Sequence, residues 1–148
     1  MDQIVGLAAF AWFLAIGLRT PVDVDEGYYG LAAELVTLGR VPYRDFFYPQ
    51  GPLYPYLAAP VVAVFGARFI VLRTMSAVFA GIAGYLFAHF VHRETRSKVG
   101  AVVATCLFVS HELSWQWLPT IRPYGVGVAL LLGALVLATP PDREPRVR

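Results

Sequence analysis

Residues 22 to 30 read VDVDEGYYG and place three carboxylates, Asp23, Asp25 and Glu26, within four positions of one another. A carboxylate held beside an apolar floor can take the proton of an incoming hydroxyl, because partial loss of water makes it a stronger base than it is in solution. Asp25 is the candidate for that chemistry. The same residue is also placed to cap a helix: its side chain can accept from the free N–H groups of the turn that follows, with Glu26 in that first turn suiting the helix dipole. The two roles are compatible.

Six of the eight tyrosines, Tyr28, Tyr29, Tyr43, Tyr48, Tyr54 and Tyr56, follow in the same stretch. A phenol ring offers a stacking face and a hydrogen bond to a sugar; tyrosines also gather at headgroup depth for purely physical reasons. Both explanations stand at this point. Arg19, Arg40 and Arg44 can grip a phosphate through the guanidinium fork, or can snorkel toward lipid headgroups. Arg73, His111 and Glu112 fall inside apolar runs, where an ionised group needs a partner. Glu112 pairing with Arg73 or Arg122 is one solution and a polar site is the other. These residues are too few to outline a transporter path. His89 and His92, one turn apart, have no evident third metal ligand and read as interfacial residues.

The elements that must position these groups are membrane-like. Apolar residues make up 57% of the 148 and charged ones 15%, against roughly 25% in soluble domains. Eleven of the twelve basic residues are arginines scattered along the chain, which argues against a nucleic-acid partner. The lone cysteine, Cys106, excludes an internal disulfide and a cysteine-based metal site. Crossing a ~30 Å hydrocarbon core takes about 20 apolar residues. Four segments approach that: 4–18, 69–91, 99–118 and 121–139. The first has the length of a signal-peptide core, but lacks a basic flank and a cleavage site, so it reads as a retained anchor.

The fold expected is all-α, a single polytopic membrane domain over residues 1–148. Arginine and lysine in HRETRSK (92–98) and in the tail after the fourth segment place both on the cytoplasmic side, which leaves the long loop 19–68 extracytoplasmic. Within that loop, Asp25 precedes a helix with Tyr28, Leu31, Leu35 and Leu38 on one face and Gly39 as its stop, lying on the membrane surface. The proline-rich stretch after it forbids a continuous helix and predicts a second short, membrane-skimming segment. In the second span Ala80, Gly84 and Ala88, with Ala77 and Gly81 beside them, form a small-residue stripe for tight helix packing.

Three stretches carry a family resemblance. DEGYYGLAAELVTLGRVPYRDFFYPQGPLYPYLAAPVVAVFG after a first span, VLRTMSA opening the second and IRPYGVGVALLL opening the fourth resemble the N-terminal part of the GT-C membrane glycosyltransferases. The likeness is to the bacterial enzymes similar to dolichyl-phosphate-mannose-protein mannosyltransferases and aminoarabinose transferases, and it covers nearly the whole chain.

The resemblance implies an inverting transfer of a hexose or pentose from a polyprenyl-phosphate donor to a hydroxyl of a lipid, protein or polysaccharide acceptor. The place implied is the extracytoplasmic face of a bacterial inner membrane. It implies Asp25 as the base with Glu26 as its neighbour. Joined to the residue reading, it gives Tyr28, Tyr29, Arg44, Tyr48, Gln50, Tyr54 and Arg122 as substrate-binding residues, with Arg44 and Arg122 neutralising the departing phosphate. Gln50 stands where many relatives carry a lysine. No cofactor is expected, a divalent metal at the carboxylates being left open. Family members are longer, so the expectation is the front part of a larger enzyme, completed by further spans or a further polypeptide. The alternative is an inactive, truncated four-helix membrane protein or interaction subunit.

Overall fold

A computed structural model describes residues 1–139; the basic tail PDREPRVR, expected on the cytoplasmic side, lies outside the described residues. The described chain is all-α, with seven helices and no strand. In order they are α1 (Asp2–Arg19), α2 (Val24–Thr37), α3 (Leu53–Phe65), α4 (Phe69–Thr95), α5 (Lys98–Ser110), α6 (Glu112–Trp117) and α7 (Tyr124–Ala138).

α4 is the axis of the bundle. α1, α7 and α5 pack along it, while α2 and α3 pair with each other and α3 rests on α4. The small-residue stripe explains how α1 comes so close: Ala77, Ala80, Gly81, Gly84 and Ala88 are all buried. A Cβ added at Gly81 would stand 2.7 Å from the Cβ of Phe10, and one at Gly84 would stand 2.7 Å from that of Ala9. Such contacts are too short to exist, so only glycine lets the two backbones meet and gain their dispersion contacts.

Only α1 and α4 are long and apolar enough, among the described helices, to cross a membrane by themselves. The expected third span is two helices, not one. Its chain turns at His111, which adopts φ −64° and ψ 136° between α5 and α6 and leaves both His111 and Glu112 exposed. Glu112 pairs with neither Arg73 nor Arg122; those arginines find acids near the start of α2 instead.

α2 forms where a helix was expected and ends before Gly39, whose φ of 77° suits glycine alone. Its cap, however, is Asp23 and not Asp25: Asp23 Oδ1 accepts from the Glu26 N–H at 3.0 Å. Its buried face is Glu26, Tyr29, Gly30, Ala32 and Ala33, and Leu31 and Leu38 of the expected face are exposed. The hydrophobic spacing misled because the buried face of α2 is built from two alanines, a glycine, one tyrosine and a carboxylate that pairs with α4. α3 also runs through prolines that were expected to break it. Pro55 lies in the first turn, where its missing N–H has no partner to lose, and Pro60 is carried inside the helix.

Gly81→Leu is expected to destabilise the protein by about 1–3 kcal/mol through overpacking. Thermal unfolding in detergent checks this, and a melting temperature equal to that of the parent would contradict the packing described.

Candidate active site at the carboxylate corner

The corner is built around a buried ion pair. Arg73, one turn into α4, donates from Nε to Glu26 Oε2 at 2.9 Å and from Nη2 to Glu26 Oε1 at 2.5 Å. Its Nη1 donates to the carbonyls of Gly17 and Thr20, both at 2.6 Å, and Nη2 also donates to that of Pro21 at 3.1 Å. All five guanidinium N–H groups are thereby used. Glu26 Oε2 accepts in addition the Ile121 N–H at 2.9 Å. One pair of side chains therefore joins the end of α1, the start of α2, the start of α4 and the segment leading into α7.

Local sequence explains the partners. Gly17 lies in the last turn of α1, whose carbonyls have no helical donor, and Arg73 caps them. Glu26 lies in the first turn of α2, where a negative charge meets the positive end of the helix dipole. This burial settles the geometry of one expected catalytic residue. Glu26 is 0% exposed, so it offers no surface to a substrate and instead fixes the backbone that carries Asp25.

Asp25 itself faces outward, with its side chain 61% exposed. Arg122 binds both outer acids: Nη1 lies 2.9 Å from Asp25 Oδ2, and Nη2 donates to Asp23 Oδ2 at 2.5 Å. The guanidinium lies over the Trp117 ring, 4.2 Å from its centroid, and Tyr124 meets the same ring edge-on at 6.2 Å. Two carboxylates against one guanidinium leave this outer triad with one net negative charge. Arg122, expected to neutralise a departing phosphate, already has its charge matched.

The six tyrosines divide: Tyr43 and Tyr56 are exposed and Tyr28 is half-buried, while the other three are turned inward. Tyr29, Tyr48 and Tyr54 are buried, and their rings occupy one another's faces and edges: Tyr28 stacks on Tyr48 at 6.1 Å, and Tyr29 meets Tyr48 and Tyr54 edge-on at the same distance. Tyr29, Tyr48 and Tyr54 form the core between α2 and α3, with Tyr28 packed against them, so these three rings offer no open platform. Burial pushes the phenols of Tyr48 and Tyr54 upward, so both stay neutral and neither serves as a base. The Tyr28 hydroxyl donates to the Phe47 carbonyl and that of Tyr43 to the Gln50 carbonyl, which pins the loop before α3. Gln50 is half-buried there. Arg44, 70% exposed, grips its neighbour Asp45 with Nε at 3.0 Å and Nη2 at 2.9 Å.

No family model, curated protein or solved structure matches the chain. The function must therefore be argued from this corner itself. Beside it lies an apolar cavity of about 400 Å³ lined by Phe108, Leu113, Ser114, Trp117, Leu118, Tyr124 and Val128. Trp117 is the shared wall, lining the cavity and lying under the Arg122 guanidinium, and Tyr124 lines the cavity beside it. A site that joins carboxylates to an apolar hollow suits an amphiphile.

Sequence reasoning brought Asp25 and Arg122 together in one set and the fold makes them partners. It missed Asp23, Trp117 and Tyr124. Asp23 carried a signal, its place three residues before Glu26, which is the spacing of an N-cap to its N3 residue. Trp117 carried none, since stacking on a guanidinium five residues away depends on the path of the loop between them.

Burial alone would raise the Asp23 carboxyl, but the Glu26 N–H and the Arg122 guanidinium outweigh it and hold the group below the ordinary carboxylate range. Asp45 is likewise brought down to about 2, chiefly by its bonds from Arg44. A carboxyl depressed by folding contributes stability that is complete above its unfolded pKa of about 3.9 and is lost as pH falls through the folded value. Unfolding in detergent should therefore become easier as pH drops from about 4 toward 2, with a shallower fall in Asp23→Asn. Equal slopes in parent and variant would contradict the assignment.

Proposed function

We propose that the chain is the N-terminal catalytic part of a membrane glycosyltransferase that passes a sugar from a polyprenyl-phosphate donor to an acceptor hydroxyl at the extracytoplasmic face of a bacterial cytoplasmic membrane. The reading is supported by one juxtaposition: an exposed carboxylate, Asp25, is held by Arg122, whose guanidinium stacks on Trp117, a wall of an apolar cavity. The family resemblance of the acidic and tyrosine-rich loop supports it as well.

In this reading the bundle spans the membrane four times. α1 and α4 are each long and apolar enough to cross alone. α5 with α6, and α7, complete the set, and the non-helical stretch 118–122 between them is buried against protein, as irregular backbone at membrane depth must be. Exposed Ile4, Leu7, Leu107, Leu131 and Leu137 turn to lipid. The loop 19–68 lies outside and 92–98 inside, following the distribution of basic residues.

The chemistry falls to few groups. The apolar tail of the carrier occupies the cavity below Trp117 and Tyr124, and Asp25 takes the proton of the acceptor hydroxyl as the lipid phosphate leaves. Arg122 orients Asp25. The charge growing on the phosphate is met by Arg44, because its present partner is an exposed ion pair worth little in water and easily exchanged. Further spans or a second polypeptide complete the donor site.

Replacing Asp25 by Asn in the full chain, or in any longer protein that contains it, should lower sugar transfer in proteoliposomes by about 100-fold or more while leaving insertion intact. Undiminished transfer would overturn the assignment of the base.

The pairing of Asp25 with Arg122 favours a second reading, in which the corner is purely architectural and the chain is a non-catalytic four-helix subunit. Transfer by the longer protein that survives Asp25→Asn undiminished, together with a lower melting temperature in that variant, would favour that reading.

A further inference from the structure

At the end of the bundle remote from the carboxylate corner, α1 begins where α4 finishes. We propose that Asp2, His89 and His92 form a proton-operated latch that fastens the start of α1 to the end of α4. The two histidines lie one turn apart on α4 and present their Nδ1 atoms to different oxygens of one carboxylate. His89 Nδ1 is 3.1 Å from Asp2 Oδ2, and His92 Nδ1 is 3.4 Å from Asp2 Oδ1.

The two halves of this contact are unequal. The shorter one is a hydrogen bond. The longer one is not, and Asp2 Oδ1 is a buried oxygen without a hydrogen-bond partner among the described residues. A buried acceptor left in that state is costly. A proton on His92 supplies both a donor and a positive charge, converting the long approach into a charge-assisted bond. Both rings are about one-third exposed, so protons reach them from solvent. Histidine is the side chain that most readily changes charge within the pH range cells visit.

The neighbouring charges do not replace the histidines. From α1, the Met1 amino group acts on the same carboxylate. On α4, Tyr85 stacks on His89 at 6.1 Å, while Arg93 is turned to the end of α7, donating to the Val136 carbonyl and to Thr139, with Glu94 at 3.4 Å. Arg96 follows as the cap of α4 and Lys98 opens α5. The latch is therefore tighter with the imidazoles protonated than with them neutral.

Amide hydrogen exchange of the full chain in nanodiscs tests it. Protection of the Val5 to Phe10 amides, corrected for intrinsic rates, should be about fivefold or more greater at pH 5.5 than at pH 8.0. Asp2→Asn should bring that ratio to about one. Replacing both histidines by glutamine keeps hydrogen-bonding side chains that carry no charge, so that variant too should bring the ratio to about one while α1 stays helical, and His92→Gln alone should give an intermediate ratio. A parent ratio near one, or a ratio unchanged in Asp2→Asn, would overturn the latch.

Discussion

A guanidinium placed one turn inside an apolar helix is the constraint that organises this molecule. Arg73 cannot be left without partners there, since an unneutralised buried charge costs several kcal/mol. The fold answers with a bidentate carboxylate from Glu26 and three carbonyls at the end of α1. Meeting that demand fixes where α1 stops, how α2 starts and where the segment before α7 must run, because the Ile121 N–H closes on the same carboxylate. The remaining architecture, a glycine-lined seam between α1 and α4 and a tyrosine core between α2 and α3, holds these pieces at the distances the ion pair requires.

The outer triad depends on the inner pair. Glu26 and Asp25 are adjacent in α2, so burying one carboxylate aims the next outward at Arg122. Arg122 in turn sits one residue beyond Ile121, whose N–H Glu26 holds. Neighbouring backbone positions thus carry the structural acid and the exposed acid, the structural donor and the exposed cation. Trp117 gives the arrangement its apolar side, since one face of its indole meets the guanidinium while the residue also lines the cavity. Dispersion and cation–π attraction at that ring link a charged surface to a space suited to hydrocarbon.

Much of this was legible in the sequence, though unevenly. The all-α class followed from long apolar runs, the close approach of α1 and α4 from glycines and alanines at helical spacing, and the end of α2 from Gly39. That Arg73 required a partner was also legible, because the cost of burial is general. Which acid would serve was not. Glu112 is nearer in the sequence than Glu26 and lies in an apolar run, but the chain bends at His111 and turns it out to solvent. Composition shows the tyrosine enrichment without showing that Tyr29, Tyr48 and Tyr54 face inward while Tyr43 and Tyr56 stay exposed. Asp23 was overlooked as the cap because three acids in four positions compete for that role, and only backbone φ and ψ decide among them. Apolar spacing placed the wrong face of α2 inward, since small residues pack tightly while contributing little to hydrophobic periodicity.

The central claim is that Glu26 and Arg73 stabilise the corner as one unit, and a double-mutant cycle in detergent measures that directly. The account predicts that Glu26→Gln and Arg73→Met each cost about 3–5 kcal/mol, as one partner leaves the other buried and unmatched. The double variant should cost less than the sum by about 2 kcal/mol or more. Single losses that add to within about 0.5 kcal/mol would contradict it, showing that the two side chains contribute separately and that the corner is held by something else.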